Sequence, residues 1–522
     1  MSTPLESYAC GRWVAAADAR TAGVAVHDAV TGEEVTRVTS SGLDTSAMLR
    51  HAHEVGGPAL RELTFHQRAA ILKALSGHLR EHRSEFYTLS HRTGATLFDS
   101  KFDVDGGIGV LSAYAGLGNR LLPDDTVLVV DDPQQLSRGG AFAGQHIETS
   151  RLGAAVQVNA YNFPVWGMLE KLAPALLAGV PSIVKPATPT AYLTELAVRR
   201  IIASGLLPEG ALQLICGSVG DLLDHLGPQD SLAFTGSAGT GQRLRAHPTV
   251  VGQSVRFTAE ADSLNCSVLG PDAVPGTPEF DLYVEQLVTE MTVKAGQKCT
   301  AIRRALVPAE RVDAVLDAVA AKLAEVVIGN PTSDRVTMGA LAGLEQRQDV
   351  RDAVAALTRS ARVVAGDPEK VDPVDADPER GAFMSPVLLH AADTSAEEPH
   401  EVEAFGPVST VIGYETVADA VALAARGSGS LAASVVTGDP DVARRIVHGL
   451  APWHGRVLVV DRNSGSESTG HGSPLPGLLH GGPGRAGGGA ELGGLASVHH
   501  HLQRTAVQGT PDILRTLGSA RP

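Results

Sequence analysis

The chain has 522 residues, of which 43% are hydrophobic and 19% are charged, and this is the composition of a folded globular protein. Its length predicts about three folding units with ample material for a large core. The formal net charge of -15 would repel nucleic acid and anionic membrane surfaces, so neither is expected as a partner.

The first residues and the cysteines bear on where the protein acts. Residues 1–13 lack the apolar core of a signal peptide, and no stretch is long and apolar enough to span a bilayer, so a cytoplasmic protein is expected. Four cysteines lie without paired or metal-like spacing and are expected to be reduced: Cys10, Cys216, Cys266 and Cys299.

The first third of the chain is predicted to be helical. Residues 64–87 place apolar side chains on one helical face, and Thr64 is a suitable N-cap. Residues 124–149 differ, because the short run Val127 to Val130 favours a strand and polar, glycine-rich residues follow it. This segment is predicted to be a β excursion outside the main body.

From residue 153 onward, strands and helices alternate, which predicts a parallel sheet covered on both faces. Strands are expected at 154–159, 181–185, 212–216, 231–235 and 255–259, and helices at 166–178, 190–204, 221–226 and 237–245. A second α/β series is expected from residue 263 to about 460, with helices at 279–294, 309–325 and 417–426 and strands at 305–307, 410–414 and 457–460. The glycine-rich residues 464–494 predict a wrapped loop before a last strand at 502–508.

Two short motifs lie where strands of the first series end. Residues 234–241 (Phe-Thr-Gly-Ser-Ala-Gly-Thr-Gly) lead into a helix, so a phosphate could approach the free backbone N–H groups there, although a plain tight turn is equally plausible. Lys185 leaves a parallel strand and would point into the crevice where such sheets bind ligands. A solvated surface lysine is the commoner interpretation of such a residue.

Three further side chains could carry chemistry. Cys299 lies in a polar loop after a helix, where a stabilised thiolate would be nucleophilic. Glu260 ends a strand, where burial would raise the carboxyl pKa toward that of a general base. Asn162 follows the first strand in a loop stiffened by Pro164 and could offer an amide to an oxyanion. Taken singly, each also fits an ordinary structural role.

In this order, the motifs resemble those of the aldehyde dehydrogenase superfamily over nearly the whole chain, including residues 403–408 (Glu-Ala-Phe-Gly-Pro-Val). Residues 260–265, 292–304, 468–476 and 480–489 carry a closer resemblance. They are similar to the aldehyde dehydrogenase module of phenylacetate-degradation ring-opening proteins and, less closely, to 3,4-dehydroadipyl-CoA semialdehyde dehydrogenases. The ring-opening proteins typically add a C-terminal enoyl-CoA hydratase domain, so a separate hydratase partner is expected if this chain serves that pathway.

The resemblance implies an α/β aldehyde dehydrogenase fold. A Rossmann-like dinucleotide-binding domain would comprise residues 1–123 and 150–262, and an α/β catalytic domain residues 263–490. A β oligomerisation arm would comprise residues 124–149 and 491–522. Because exposed strand edges in such an arm would pair with a second subunit, a homodimer is the minimum expectation.

The resemblance also implies a mechanism. Cys299 would attack the aldehyde as a thiolate, and the Asn162 amide and the Cys299 N–H would hold the oxyanion. After hydride transfer to nicotinamide, water activated by Glu260 would hydrolyse the thioester to an acid. An acylating enzyme, which releases the thioester to CoA, would lack the glutamate, and a silent binding protein would lack one of the three residues. Both alternatives are therefore disfavoured.

Seven residues would surround the cofactor by this resemblance: Lys185 and Thr188 at the adenosine ribose, Gly236, Ser237 and Gly241 at the pyrophosphate, and Glu403 and Phe405 at the nicotinamide ribose and ring. NAD-preferring relatives carry a glutamate where this chain has Thr188. Without that carboxylate a 2′-phosphate is not repelled, and Lys185 can pair with it. NADP is therefore expected, while NAD stays possible.

The implied substrate is a CoA-linked semialdehyde of the 3-oxo-5,6-dehydrosuberyl or 3,4-dehydroadipyl type, in aerobic aromatic-acid catabolism, and a general enzyme for free aldehydes is the alternative. Arg303 and Arg304 could meet CoA phosphates, or could face solvent or acidic side chains. His471 and His480 could line an acyl channel or simply pack in their loop. Residues 499–501 (His-His-His) look strand-like, and adjacent strand residues face opposite sides, so no metal site is predicted.

Overall fold

The computed structural model describes residues 3–489 and 492–518. Its strands are β1 (Ser7–Ala9), β2 (Arg12–Val14), β3 (Val24–His27), β4 (Glu34–Val38), β5 (Val127–Val129), β6 (Gln134–Gln135), β7 (Ala143–Ser150), β8 (Ala155–Val158), β9 (Ser182–Lys185), β10 (Leu212–Leu214), β11 (Ser231–Thr235), β12 (Arg256–Glu260), β13 (Cys266–Leu269), β14 (Arg304–Pro308), β15 (Arg362–Ala365), β16 (Val387–Ala391), β17 (Val408–Tyr414), β18 (Ser430–Val436), β19 (His454–Val460) and β20 (Leu502–Gly509).

Its helices are α1 (Ala19–Ala22), α2 (Thr45–His51), α3 (Gly57–Arg61), α4 (Phe65–Glu81), α5 (Arg83–Ser90), α6 (Leu97–Leu121), α7 (Trp166–Ala178), α8 (Ala191–Ala203), α9 (Ala238–Arg245), α10 (Pro248–Gly252), α11 (Pro278–Thr292), α12 (Val312–Leu323), α13 (Leu344–Leu357), α14 (Glu398–Glu401), α15 (Val417–Ala425), α16 (Pro440–Leu450), α17 (Gly494–His500) and α18 (Pro511–Arg515). Within the described ranges, no helix has both the length and the apolar character needed to cross a membrane.

The first sheet has seven strands in the order β12-β11-β8-β9-β10-β1-β2. Strands β8 to β12 pair in parallel, and β1 and β2 add antiparallel pairs at one side. Strands β8 and β10 are buried along their whole length, as parallel strands between two helical layers are. Parallel pairing brings the carboxyl ends of five strands to one edge, which is where such sheets bind ligands.

The second sheet also has seven strands, in the order β15-β16-β17-β14-β13-β18-β19. All neighbours pair in parallel except β15 with β16. The loop that contains Cys299 leads from α11 toward β14, a central strand of this sheet. The two mostly parallel sheets confirm the predicted α/β architecture with two series of alternating strands and helices, whereas the domain boundaries stay a prediction.

The third sheet is antiparallel and consists of β20, β7 and β5, with β6 also paired to β7. Strand β20 runs along the whole of β7, from Leu502 opposite Ser150 to Gly509 opposite Ala143. Residues 503–506 of β20 are exposed in succession. A long exposed edge strand is a template for pairing with another chain, and this sheet includes the segments predicted as an arm.

Local signals explain how the helices next to the active site begin and pack. Helix α4 starts at Thr64, as predicted, and Thr64 and Gln67 form a reciprocal capping box. Helix α6 carries Gly106 facing α7, because a Cβ atom there would lie 2.0 Å from the Trp166 ring. The absence of a side chain at this position lets the first turn of α7, which follows Asn162, sit against α6.

Three predicted elements differ from the structure. The helix predicted over 64–87 is two helices, α4 and α5, since the backbone of His82 (φ -98°, ψ 1°) leaves the helical region. The helix predicted over 221–226 is a short 3-10 turn, Leu222–His225. Residues 499–501, predicted to be strand-like, lie at the end of helix α17 instead. Residues 221–226 and 499–501 are runs too short for their periodicity to decide the element, whereas the break at His82 does not interrupt the apolar pattern of residues 64–87.

Candidate active site

Three ionisable side chains from distant parts of the chain meet at the carboxyl edge of the first sheet. Glu260 ends β12, Cys299 lies between α11 and β14, and His480 lies in the glycine-rich segment after β19. A carboxylate oxygen, Sγ and an imidazole nitrogen of these residues lie within 4.8 Å of one another. Glu260 and His480 are 4% and 7% exposed, whereas Cys299 is partly exposed. The thiol is therefore the member of the group most open to a small molecule.

The cysteine loop, residues 294–300, has an uncommon backbone. Lys294, Ala295 and Gly296 have φ angles of 56°, 50° and 69°, and for a residue with a side chain this left-handed region costs roughly 1 to 2 kcal/mol. Gly296 has no room for a side chain, because a Cβ atom would lie 2.1 Å from the Gly406 carbonyl oxygen. Strained backbone of this kind persists where surrounding contacts hold it, often at functional sites.

Buried polar side chains supply the contacts that hold the cysteine loop. Asp99 Oδ1 accepts a hydrogen bond from the Lys294 N–H at 2.7 Å. Asn265 Nδ2 donates to the carbonyl oxygens of Cys299 and Ala301 at 2.8 and 3.0 Å. Because Asn265 itself is fully buried, these two bonds fix the peptides on the C-terminal side of the cysteine and limit the positions that its Sγ can take.

Asn162 lies beside the same loop. Its Nδ2 atom donates to the Gln297 carbonyl oxygen at 3.0 Å, two residues before Cys299. Gln297 is held in turn, since its Oε1 accepts from the Ala342 N–H at 3.0 Å. One N–H of the Asn162 amide is used in this way, and an amide has two. Asn162 is 7% exposed, so its amide is oriented in a mostly dry environment.

Burial and charge oppose each other among the three central side chains. Burial and the neighbouring Glu260 carboxylate raise the pKa of the Cys299 thiol well above its usual value. Burial also tends to raise the pKa of Glu260, but the attraction of His480 and Lys171 and a hydrogen bond from the thiol outweigh it, and the pKa is about 2. The resting site therefore holds a protonated thiol beside an ionised carboxylate. The prediction of a raised pKa for Glu260 is therefore wrong in its direction, because the attraction of His480 outweighs the effect of burial.

The sequence interpretation missed Glu170 and Lys171, which lie on α7 beside this group. Burial raises the pKa of the Glu170 carboxyl, and the charges of His480 and Lys171 oppose that rise. The Trp166 Nε1 atom donates to Glu170 Oε2 at 3.2 Å. Two adjacent charges inside an otherwise apolar helix were the available signal, because charged residues are rarely buried without a partner.

A narrow pocket adjoins the group on its α7 side. It has an empty volume of about 230 Å³, and its lining includes Tyr114, Trp166, Glu170, Leu475 and His480. His480 thus lines a pocket. Of its two predicted placements, the lining of a channel fits this position better than simple packing within its loop. His471 is 1% exposed, and neither ring nitrogen has a hydrogen-bond partner among the described residues. It does not belong to the described lining of this pocket.

The residues predicted for the adenosine and phosphate side follow strands of the first sheet. Lys185 ends β9, and burial lowers the pKa of its ammonium group. Thr188 begins a 3-10 turn just after it. At the glycine-rich turn, Gly236 donates its N–H to the Glu260 carbonyl oxygen at 3.1 Å, and Ser237 caps α9. The turn is therefore attached directly to the strand that ends in Glu260.

Two features limit what can bind at that turn. The Phe234 ring lies under it, because a Cβ atom at Gly236 would be 2.7 Å from the ring and one at Gly241 would be 3.3 Å from it. Asp262 Oδ1 accepts from the Ala238 N–H at 2.9 Å. A carboxylate at a helix N-terminus is favourable, so a bound phosphate would have to share this helix end with Asp262.

The Glu403 loop, residues 403–406, approaches from the second sheet. Glu403 Oε2 accepts from the Ser263 N–H at 3.1 Å, and the Phe405 ring packs edge-on against Tyr161 at 6.0 Å between centroids. Glu403 Oε1 is buried without a hydrogen-bond partner, and burial raises the pKa of this carboxyl to about 7. A ligand hydroxyl at this point would satisfy the free oxygen, so the residues fit the ribose of a dinucleotide.

Of the placements considered for Arg303 and Arg304, contact with CoA phosphates at the surface and exposure to solvent are both wrong, because both side chains are buried. Arg303 is 5% exposed and Arg304 is fully buried. Arg304 donates to the carbonyl oxygens of Leu264, Leu423 and Ala424 and to His400. Because both guanidinium groups are buried and donate mainly to backbone carbonyls, neither is available to a phosphate at the protein surface.

The chain belongs to the aldehyde dehydrogenase family, whose sequence profile matches residues 13–504. The predicted class, an NAD(P)-dependent aldehyde dehydrogenase, is confirmed at the level of that family. The chain is 47% identical to the 3,4-dehydroadipyl-CoA semialdehyde dehydrogenase of Aromatoleum evansii over 481 residues, which is 92% of this chain and 93% of the relative. It is 50% identical to the protein MaoC of Klebsiella aerogenes over 184 residues, which is 35% of this chain and 53% of that protein.

Solved structures show the same fold. An apo betaine aldehyde dehydrogenase from Staphylococcus aureus, a point mutant, superposes with a TM-score of 0.84 at 24% identity, covering 97% of this chain and 96% of that one. A second mutant of that enzyme in complex with NAD+ gives a TM-score of 0.84 at 24% identity, covering 97% and 98%. The aldehyde dehydrogenase fold predicted from the motifs is thereby confirmed.

Proposed function

We propose that the chain oxidises a CoA-linked semialdehyde to the corresponding carboxylic acid, with NADP preferred to NAD. The observation that carries the reaction type is the partly exposed Cys299 beside the buried pair of Glu260 and His480. A nucleophile with a proton acceptor in reach is the set required for oxidation through a covalent thioester. Support for the substrate class comes from the 47% identity to the 3,4-dehydroadipyl-CoA semialdehyde dehydrogenase.

The first half of the proposed reaction begins when Cys299 adds to the aldehyde carbon. Because the thiol has a raised pKa, it needs a base, and the hydrogen-bonded Glu260 carboxylate accepts its proton as the S–C bond forms. The second N–H of the Asn162 amide and the Cys299 N–H stabilise the oxyanion. A bound nicotinamide cofactor supplies the acceptor for the hydride that leaves this carbon. A thioester on Cys299 remains.

The second half is hydrolysis of that thioester. The pKa of about 2 at Glu260 favours release of the thiol's proton to solvent, which restores the carboxylate. With Cys299 acylated, the carboxylate no longer holds the thiol hydrogen bond and can accept a proton from an attacking water. The C–S bond breaks, the proton passes to the sulfur, and the acid leaves. No metal enters this scheme.

For the cofactor, we propose that Lys185, Thr188, Gly236, Ser237 and Gly241 hold the adenosine and phosphate half. Glu403 and Phe405 would hold the nicotinamide half. The preference for NADP rests on charge, since position 188 carries no carboxylate and the Lys185 ammonium can attract a 2′-phosphate. Because the absence of repulsion does not by itself select a ligand, NAD remains an acceptable substitute in this proposal.

The wider setting belongs to the same proposal. The exposed residues of β20 support a homodimer that pairs through the arm of residues 124–149 and 491–522. A cytoplasmic role in aromatic-acid catabolism, beside a separate enoyl-CoA hydratase, would fit the substrate class. The division into residues 1–123 with 150–262 for the cofactor and 263–490 for catalysis also remains proposed.

The test is reduction of NADP, and separately of NAD, by the purified protein. CoA-linked semialdehydes generated in situ would be compared with free aliphatic and aromatic aldehydes. We expect faster turnover with NADP and the CoA-linked substrate, abolished in Cys299→Ala and retained in Cys10→Ala, a second partly exposed cysteine. Turnover of free aldehydes alone would reject the CoA assignment and support the general enzyme. No turnover with any aldehyde would support a silent protein on this fold.

A further inference from the structure

Arg303 lies between the cysteine loop and the Glu403 loop, which the proposed reaction has to align. Its Nη2 atom donates to the Gly296 and Lys298 carbonyl oxygens at 2.9 and 3.2 Å, both in the cysteine loop. Its Nη1 atom donates to the Gly406 carbonyl oxygen at 2.8 Å, in the Glu403 loop. One planar group therefore joins the backbones on either side of the site, and a guanidinium presents its donors in a fixed fork that suits this task.

The same guanidinium also contacts the side chains of the Glu403 loop. Its carbon lies 5.4 Å from the centre of the Phe405 ring, within the range of a cation–π contact. Its Nε atom lies 3.8 Å from Glu403 Oε1, and both of these atoms are buried without a hydrogen-bond partner. The pair is thus close enough to attract but too far apart to bond directly, so a ligand atom at Glu403 would alter the surroundings of Arg303 as well.

We propose that Arg303 is a positioning residue that holds the cysteine loop and the Glu403 loop in register, so that cofactor binding at Glu403 constrains Cys299. This inference rests on the proposed function for the role of Glu403. Arg303 does not touch the thiol, and it acts through Gly296 and Lys298 on one side and Gly406 on the other. A displacement of about 1 Å at a reacting group can reduce a rate about a hundredfold, so a fixed register between the loops has a direct catalytic value.

The positive charge of Arg303 has a second effect, which is on the protonation of Glu403. Burial raises the pKa of Glu403 to about 7, and Arg303 is the foremost group that opposes this rise. Asp262 raises the pKa further, while Arg485 and the Ser263 N–H lower it. Without the Arg303 cation the pKa of Glu403 would move higher, and the carboxylate needed to accept a ribose hydroxyl would be formed only at more alkaline pH.

The experiment compares Arg303→Met and Arg303→Lys with the unmodified protein, without any aldehyde present. Titration with NADP+ and NAD+ gives cofactor affinity between pH 6 and 9, a range chosen to bracket about 7. Iodoacetamide labelling of Cys299, followed by peptide mass spectrometry, gives thiol reactivity with and without cofactor. Arg335→Met, a substitution of an exposed arginine, is the matched control.

In Arg303→Met we expect cofactor affinity to fall about tenfold near neutral pH, to recover partly at alkaline pH, and the effect of cofactor on Cys299 labelling to disappear. Arg303→Lys should keep the charge and hence the normal pH dependence, but lose the coupling to labelling. If Arg303→Met does not fold, Glu403→Gln tests the other loop. It should abolish the pH dependence and weaken the effect of cofactor on Cys299 labelling, because it removes the carboxylate through which the cofactor would act on this loop. Affinity and coupling within about twofold of the unmodified protein in a folded Arg303→Met or Arg303→Lys would overturn the proposal. Because no aldehyde is used, failure of CoA-semialdehyde turnover would leave this result intact.

Discussion

His480 Nε2 lies 3.3 Å from Glu260 Oε1, and both side chains are almost completely buried. A buried carboxyl without a partner favours its neutral form, because a dry environment disfavours charge. The imidazole reverses that preference and brings the pKa of Glu260 to about 2. The pair therefore maintains an ionised proton acceptor beside Cys299 in surroundings that would otherwise remove its charge.

Replacement of His480 should shift the pH dependence of catalysis. In His480→Gln the attraction that lowers the pKa of Glu260 is lost, and burial, the largest remaining influence, raises it. The carboxylate then gains a proton at higher pH, so activity is lost from the acidic side and the acidic limb of kcat/KM against pH moves upward. The profile is measured by steady-state kinetics at saturating cofactor with variable aldehyde.

The exposed His448, on α16, offers the control for this substitution. His448→Gln should leave the acidic limb in place, because His448 is not among the groups that shift the Glu260 pKa. If His480→Gln retains the limb of the unmodified protein, then another group keeps Glu260 ionised and the paired arrangement does not set its protonation.

Substitution of Glu260 should separate the two halves of the reaction. Glu260→Gln keeps the size of the side chain but cannot accept a proton from the thiol or from water. We expect kcat to fall by roughly a hundredfold to ten-thousandfold. If some of the Cys299 thiol loses its proton to a base in solution and adds to the aldehyde, the thioester on Cys299 should accumulate. Intact-protein mass spectrometry after rapid quenching would detect the added acyl mass. Activity near the unmodified level would show that neither step needs this carboxylate.

Much of the architecture follows from local pattern, and the active site follows from where the strands end. Alternating strands and helices predict parallel sheets, and parallel strands bring their carboxyl ends to one edge. That is why Lys185 and Glu260, both terminal residues of strands, could be singled out from the sequence. Asn162 follows the same logic, since it lies in the loop that comes directly after β8.

The contacts of His480, Arg303 and Arg304 could not be predicted from the ends of strands. His480 lies in a glycine-rich stretch without periodicity, so only the tertiary fold shows that it pairs with Glu260. For Arg303 and Arg304 the sequence left CoA phosphates, solvent and acidic side chains open as partners, and it gave no sign that both arginines are buried. Their burial depends on backbone carbonyls from several distant loops and a helix end, and a linear pattern does not display such acceptors.

Thr188 offers a test of cofactor choice. In Thr188→Glu a carboxylate would stand near the proposed site of the adenosine ribose, where it would repel a 2′-phosphate and compete for Lys185. We expect the KM for NADP to rise about tenfold or more, with a smaller change for NAD. Thr188→Ser is the matched control and should preserve the ratio of the two KM values. An unchanged ratio in Thr188→Glu would mean that this position does not contact the adenosine half.

Arg304 should matter for stability more than any exposed arginine. It is fully buried, and its guanidinium donates to Leu264, Leu423 and Ala424 carbonyl oxygens at 2.7 to 3.0 Å. Arg304→Met would leave those acceptors unsatisfied, which costs about 1 to 3 kcal/mol for each buried group, so the variant should unfold at a clearly lower temperature. The exposed Arg335→Met should change stability by no more than about 0.5 kcal/mol. Equal thermal unfolding curves for the two variants would mean that water or rearranged backbone can replace the guanidinium between these chain segments.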